Sequence, residues 1–337
     1  MFGRSGYRVL CISVAAALLA GCGVLRPSTT LRMAQDDLPP IAQEASRNTW
    51  MAPEAASEDL IYVADRVAEA VDVYSYPDRI KVGRLDDKEP VGECSDTTGN
   101  VWIAQGYDGI IEYSHGGTKP IRKLKSPDRG DLTSCSVDPN SGDLAVTSGG
   151  SLLYVYRHAA GPPIKYSSFG SNYASIGYCA YDDAGHLYVA GGVGADSLND
   201  HAAIWELKER SGPLTRLKFH HTVSFPYSAG IFWDGQHMAW EDGKYARIFQ
   251  FDKPVGGSAK IIGHTNLKVE SYIGQAAIYG GTVIVPYQIE RHGVAFFDYP
   301  SGGNRIGNIG GLREPVAVAF SAASQTSRRA VKANKKR

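Results

Sequence analysis

The feature that most restricts this chain of 337 residues is a phrase that returns at near-constant spacing. Its clearest copy is Pro90-Val-Gly-Glu-Cys-Ser-Asp-Thr-Thr-Gly-Asn-Val-Trp-Ile-Ala104. It reads as an apolar strand, a polar turn ending in Gly-Asn, and a second strand. Further copies begin near residues 131, 175, 227 and 273. From Cys94 to Cys135 is 41 residues, and from Cys135 to Cys179 is 44. Two shorter apolar runs follow each copy, for example 110–113 and 120–124 after the first. Each unit therefore carries four strands. A single four-stranded unit cannot bury both faces of its sheet, whereas a ring of such units buries each face against a neighbour.

A period of 40–45 residues built from four strands predicts a β-propeller. The expected fold class is all-β, with six four-stranded blades; one strand more or fewer in the count would make it five or seven. Glu314-Pro-Val-Ala-Val-Ala-Phe-Ser321 repeats the opening of the phrase, but no later strands follow it. The first unit, at 60–65, 71–76 and 79–85, lacks a first strand. The strand 315–321 is expected to supply it, closing the ring and removing a free sheet edge. The predicted strands of the later units include 214–219, 259–262 and 273–279.

The ends of the chain read differently. Arg4 and Arg8 precede an apolar run over 9–20 that is short for a membrane span and ends in Leu19-Ala20-Gly21-Cys22. Residues 1–21 are read as a signal peptide. Residues 22–57, with Pro27, Pro39, Pro40, Pro53 and scattered Ser, Thr, Gln and Asp, are read as a flexible tether with a short helix near 42–46. The propeller is expected over 58–322, and 323–337 is read as a disordered basic tail. Lys and Arg total 35 and so do Asp and Glu, which gives no overall field to attract nucleic acid.

Two resemblances add to this reading. Leu19–Cys22 resembles the bacterial lipobox, which implies lipidation of Cys22 and a membrane as partner. Gly23 follows that Cys, and Asp there would resemble the inner-membrane retention signal. The implied location is the cell envelope, on the outer-membrane or periplasmic side in a Gram-negative cell. The repeats resemble NHL-repeat and related six-bladed propellers. The matching pieces are the turns at 96–101, 138–144 and 182–187 and the Gly-rich joins after Tyr113, Phe251 and Tyr299. The signatures of WD repeats are missing, since Trp233-Asp234 falls on an inner strand.

No G-x-S-x-G, H-E-x-x-H, P-loop or EF-hand string is present. The Gly191–Gly194 run reads as a strand connection, Asp138–Asp143 as a turn rather than a calcium loop, and His220-His221 as solvated. Aligned inner strands place Glu314, Glu89, Asp131, Tyr173, Tyr227 and Tyr272 at the channel rim in blade order. The three carboxylates suit a divalent cation or a cationic ligand, and the three tyrosines suit stacking on a sugar or peptide. The plain alternative is that all six are ordinary turn and β-sheet residues. The deeper ring is expected at Gly92, Thr133, Gly177, Ala229, Gln275 and Ala317. This ring lacks the Asn and Asp ligands that a resemblance to gluconolactonase-like lactonases would require. The reading is therefore a binding or scaffolding module for a protein, peptide or glycan, with a metal-dependent hydrolase as the alternative; no motif implies a cofactor. Cys94, Cys135 and Cys179 are taken to occupy one equivalent position as buried free thiols, with one disulfide between two of them as the alternative.

Overall fold

The computed structural model describes residues 48–149, 151–167, 169, 174–193, 201–208, 210, 212–219, 228–242, 245–269, 274–288 and 291–324. Cys22, the segment 42–46, His220, His221, Gly194, Tyr173, Tyr227, Tyr272 and the tail from 325 lie outside them.

The protein is a six-bladed β-propeller. Blade 1 is formed by Asp59–Asp65, Ala70–Tyr76 and Lys81–Asp86, with Pro315–Ser321 as its innermost strand. Blade 2 comprises Pro90–Ser95, Val101–Gln105, Gly109–Tyr113 and Pro120–Leu124. Blade 3 comprises Leu132–Val137, Leu144–Ser148, Leu152–Tyr156 and Ile164–Tyr166. Blade 4 comprises Ala174–Tyr181, Leu187–Val193, His201–Leu207 and Thr215–Arg216. Blade 5 comprises Ser228–Trp233, Met238–Asp242, Arg247–Phe251 and Ile261–Asn266, and blade 6 Ala277–Tyr279, Thr282–Tyr287, Gly293–Asp298 and Gly307–Gly310.

The ring follows from the period-2 placement of apolar side chains along each strand. On the second strand of blade 2, Val101 and Ile103 pack into a cluster with blade 1, whereas Trp102 and Ala104 pack into one with blade 3. The remaining clusters join blades 3 and 4, 4 and 5, 5 and 6, and 6 and 1. Six seams thus close on themselves. Each large side chain buried in them contributes about 1.5–3 kcal/mol.

The C-terminal strand runs antiparallel to Asp59–Asp65, from Leu60 opposite Ser321 to Asp65 opposite Pro315. Asp65 caps it, its Oδ2 accepting from the Arg313 amide at 2.7 Å and its Oδ1 from the Glu314 amide at 2.8 Å. The turns between first and second strands share one device. The carboxylates of Asp96, Asp138, Asp182 and Asp234 each accept an amide two residues on. Glycines with positive φ close these turns at Gly99, Gly142, Gly185 and Gly235. The Asp138 carboxylate is engaged inside its own loop, with the Asn140 amide and the Ser141 hydroxyl.

Three expectations are corrected. Residues 48–57 are not tether: Trp50–Met51 adds a fifth strand to blade 1 opposite Gly83 and Arg84, and Ala55, in the following 3-10 turn, is fully buried. The run 214–219 is not one strand. Leu217 turns into the seam between blades 4 and 5, so Thr215–Arg216 pairs in blade 4 while Lys218–Phe219 pairs in parallel with Ser258–Ala259. That last pair takes the start of the predicted 259–262 strand, and the outer strand of blade 5 is Ile261–Asn266 instead.

The third correction concerns the cysteines. Cys94 and Cys135 form a disulfide with Cα atoms 5.6 Å apart, and Cys179 is the buried free thiol. Their positions are not equivalent. Cys135 and Cys179 stand three residues before their turn aspartates, whereas Cys94 stands two before Asp96. Successive residues on a strand point to opposite faces. Cys135 and Cys179 therefore both face the preceding blade, with Sγ 3.7 Å from Trp102 O and 3.8 Å from Ala145 O respectively. Cys94, one residue out of step, faces forward and meets Cys135. Glu93 takes the backward-facing place in blade 2.

The bridge closes a loop of 41 residues, which corresponds to about 4 kcal/mol of stabilisation by restriction of the unfolded chain. Replacing both cysteines with Ala is expected to lower the unfolding free energy by about that amount in denaturant titrations. Thiol titration of the unreduced, unfolded segment 58–322 is expected to find one thiol; three thiols would contradict the bridge.

Candidate functional site

Each inner strand begins at the same end of the ring, where its second strand finishes. The residues just before the inner strands therefore gather at one mouth. Glu89 precedes Pro90–Ser95, Asp131 precedes Leu132–Val137 and Glu314 precedes Pro315–Ser321. All three sequence-predicted carboxylates reach this mouth. Glu89 and Asp131 line a funnel of about 390 Å³ together with Arg66, Tyr107, Tyr178 and Gln288, over an apolar floor that includes Val91, Leu132 and Val316. The predicted aromatic half, Tyr173, Tyr227 and Tyr272, lies outside the described residues.

Arg66 was not foreseen from the sequence. It sits on the turn between the first two strands after Asp65, so the Asp65 cap that fixes Glu314 also fixes Arg66. The Arg66 amide donates to Glu314 O at 3.0 Å. Its guanidinium grips the Glu314 carboxylate through both Nε, at 3.1 Å, and Nη2. These hydrogen bonds raise the Arg66 pKa, burial opposes them, and attraction to Glu314, Asp131 and Glu89 adds to the rise. The Glu89 and Asp131 carboxylates converge over Gly106. A Cβ there would lie 3.0 Å from Glu89 Oε2 and 3.6 Å from Asp131 Oδ1. Glu89 itself holds φ at 50°, in the left-handed region. Tyr107 stands at the lip, 58% exposed.

The floor is made by β-bulges at one level of five inner strands. The ladder skips Val91 in blade 2, Thr133 in blade 3, Gly177 in blade 4, Ala229 in blade 5 and Val316 in blade 1. A bulge re-aims the skipped residue, and Val91, Thr133 and Val316 accordingly line the funnel. This corrects two members of the expected deep ring. Gly92 and Ala317 are one residue beyond the bulge. Gly92 lies in the seam, where a Cβ would come within 2.3 Å of Thr133 O. At and just past the bulges the inner strands touch. Gln275 N donates to Val316 O at 3.0 Å, and Gln275 Nε2 reaches Glu93 O at 3.1 Å. Thr133 Oγ1 donates to Gly177 O at 2.8 Å. These contacts floor the funnel.

Among the described residues no group of three or more His, Cys, Asp or Glu side chains is close enough to hold a metal ion. Glu314 is engaged by Arg66, and Glu89 and Asp131 alone make a poor set for a hard cation, which takes six or more oxygens. The residues described do not fit the expected divalent cation, nor the metal site that the lactonase alternative requires.

Three further carboxyls are buried in the blades, outside the funnel lining. Glu93 and Glu241 are 1% and 0% exposed; their oxygens make no well-formed hydrogen bond among the described residues, and only the backbone near Ala319 and Ala64 at Glu93 and near Ala276 at Glu241 partly offsets their burial. Burial pushes both well above the usual carboxylate range, with Asp87 adding to the rise at Glu93 and Asp242 at Glu241. Asp87, two residues before Glu89, accepts from Gln105 Nε2 at 2.6 Å, while its other oxygen is unpartnered. Burial raises its pKa to about 7 against the opposing Gln105 bond and Lys123 charge.

This shift has a defined sign. Between the unfolded carboxyl value near 4 and about 7, the folded chain holds a proton at Asp87 that the unfolded chain has lost. Stability therefore falls as pH rises through that window and levels off above it. At 1.36 kcal/mol per pH unit the loss is up to about 4 kcal/mol. The melting temperature is expected to be higher at pH 5 than at pH 8. Asp87→Asn, which still accepts from Gln105, is expected to flatten the slope; an unchanged slope would show that Asp87 titrates normally.

No known protein-family description matches the chain, and no curated protein sequence does. Solved structures do match. A protein of unknown function from Bacteroides caccae superposes with a TM-score of 0.57 at 12% identity, covering 79% of this chain and 99% of that one. The β-propeller domain of Cps50 (Swd1) from Myceliophteria thermophila superposes with a TM-score of 0.55 at 10% identity, covering 80% of this chain and 88% of that one. At these identities the likeness is one of fold.

Proposed function

We propose that this chain is an extracytoplasmic binding module, an NHL-like propeller held on the bacterial envelope through lipid on Cys22. Residues 1–21 are its signal peptide, and a tether from 22 to about 47 leads to the propeller. The observation that carries the binding role is the funnel at the mouth. Its wall draws charged side chains from blades 1, 2 and 3, while contacts between inner strands support its floor. Such a concavity suits recognition of a small group at its mouth. Glu89, Asp131 and Glu314 outnumber Arg66, so the mouth favours a positively charged ligand group on a peptide, glycan or protein. Nothing in the charge balance favours nucleic acid.

The test is a binding screen of the segment 46–324 against cationic peptides, amino sugars and peptidoglycan fragments, at low and at physiological salt. Hits are expected to carry an ammonium or guanidinium group. The double variant Glu89→Gln, Asp131→Asn is expected to weaken them about tenfold or more, with its melting temperature kept within a few degrees. Hits indifferent to that variant would place the binding surface elsewhere. Radiolabelled palmitate on Cys22, lost in Cys22→Ser, is the matching check on the anchor.

A further inference from the structure

The mouth already holds a cation, and that cation belongs to the chain. Arg66 enters a three-carboxylate mouth from the blade 1 turn and lies within electrostatic reach of Glu314, Asp131 and Glu89, which come from blades 1, 3 and 2. Its backbone is fixed by the hydrogen bond that its amide N–H donates to Glu314 O. Its side chain is not equally fixed, since the ion pair is 51% exposed on the Arg66 side and 21% on the Glu314 side. Exposed pairs contribute about 0.2–1 kcal/mol, and the two-point geometry puts this one at the upper end, about 1 kcal/mol. The Arg66 side chain is an apolar stem ending in a planar fork of donors, which matches carboxylates bidentately.

From this we infer that Arg66 is a resident occupant of the binding mouth, which an incoming alkylguanidinium or alkylammonium group must displace from Glu314 to engage all three carboxylates. The inference rests on the cationic-ligand reading given above and adds a sign to it. An ordinary lining residue loses binding when removed, whereas a resident competitor gains it. A ligand whose own stem lies along Val91 and Val316 and whose head meets Glu314, Glu89 and Asp131 repeats the Arg66 interaction from outside. Arg66 thereby sets a threshold: weak or singly charged cations fail to dislodge it, and specificity goes to groups that engage more than one carboxylate. The same chemistry is available from a small amine or from an arginine side chain of a partner protein.

The probe is methylguanidinium, titrated into the full-length protein and followed by calorimetry and by NMR shifts of the Gly106 and Leu132 amides. Arg66→Ala is expected to bind it roughly twofold to fivefold more tightly than the parent, the equivalent of one exposed pair released. Adding Glu89→Gln and Asp131→Asn to that variant is expected to abolish the gain. A titration with an arginine-containing peptide, run beside the free cation, separates a protein side chain from a small amine as the better ligand. Should Arg66→Ala lose its fold, Glu314→Gln is the second variant. It frees Arg66 while keeping its charge, and it is expected to weaken methylguanidinium binding rather than strengthen it. Equal or weaker binding by a folded Arg66→Ala overturns the inference. If screened ligands bind through Glu89 and Asp131 but ignore Arg66→Ala, the binding role stands and the inference alone falls. If Arg66→Ala gains methylguanidinium while the screen yields no ligand, the competitor role stands and the ligand class in the binding proposal falls.

Discussion

Everything in this molecule depends on the hydrogen-bonded pairing of Pro315–Ser321 with Asp59–Asp65. Each blade has two apolar faces, and each needs a neighbour. Six seams satisfy six blades only when the last strand of the chain joins the first three. Without it blade 1 lacks its inner strand, and the cluster between blades 6 and 1 loses Val318. The mouth also goes, because Glu314 is placed by the same closure. Asp65 holds the amides of Arg313 and Glu314, and Arg66 follows Asp65 directly. Fold and site share one joint.

Inside that ring the bulged inner strands decide what faces the funnel. A regular strand would point every side chain into one seam or the other. The extra residue at Val91, Thr133, Gly177, Ala229 and Val316 breaks that alternation at a single level. The cost of the arrangement appears nearby as buried carboxyls. Glu93 sits where blades 3 and 4 carry the small, apolar Cys135 and Cys179. A carboxyl at that depth is tolerated far more readily as the neutral acid than as the anion. The disulfide between Cys94 and Cys135 ties together the two inner strands that follow Glu89 and Asp131, so it also braces the spacing of the carboxylates above it.

Much of this was legible in the sequence, and the misses have identifiable causes. The four-strand period and the truncated copy at 314–321 were enough for the fold and its closure. Glu89, Asp131 and Glu314 were legible because each directly precedes an inner strand, and strand starts share one end of a ring. Arg66 carries no repeat signature, since it lies on a turn between two strands. The clue available was only that this turn opens at the same end as the Glu-Pro steps. The disulfide was hidden by aligning on cysteine instead of on the turn aspartates. Counting back from Asp96, Asp138 and Asp182 gives two, three and three residues, and the odd step turns Cys94 toward Cys135. The strand at Trp50–Met51 was missed because two residues added to an edge leave no periodicity to read.

The measurement that tests the account most directly is the thermal unfolding of a chain ending at Glu314, compared with the full chain. Loss of the closing strand is predicted to abolish the cooperative transition, and a peptide of residues 315–324 added in trans is predicted to restore part of it. A chain ending at Glu314 that still melts cooperatively within a few degrees of the full chain would contradict the claim that this joint holds both the ring and its mouth.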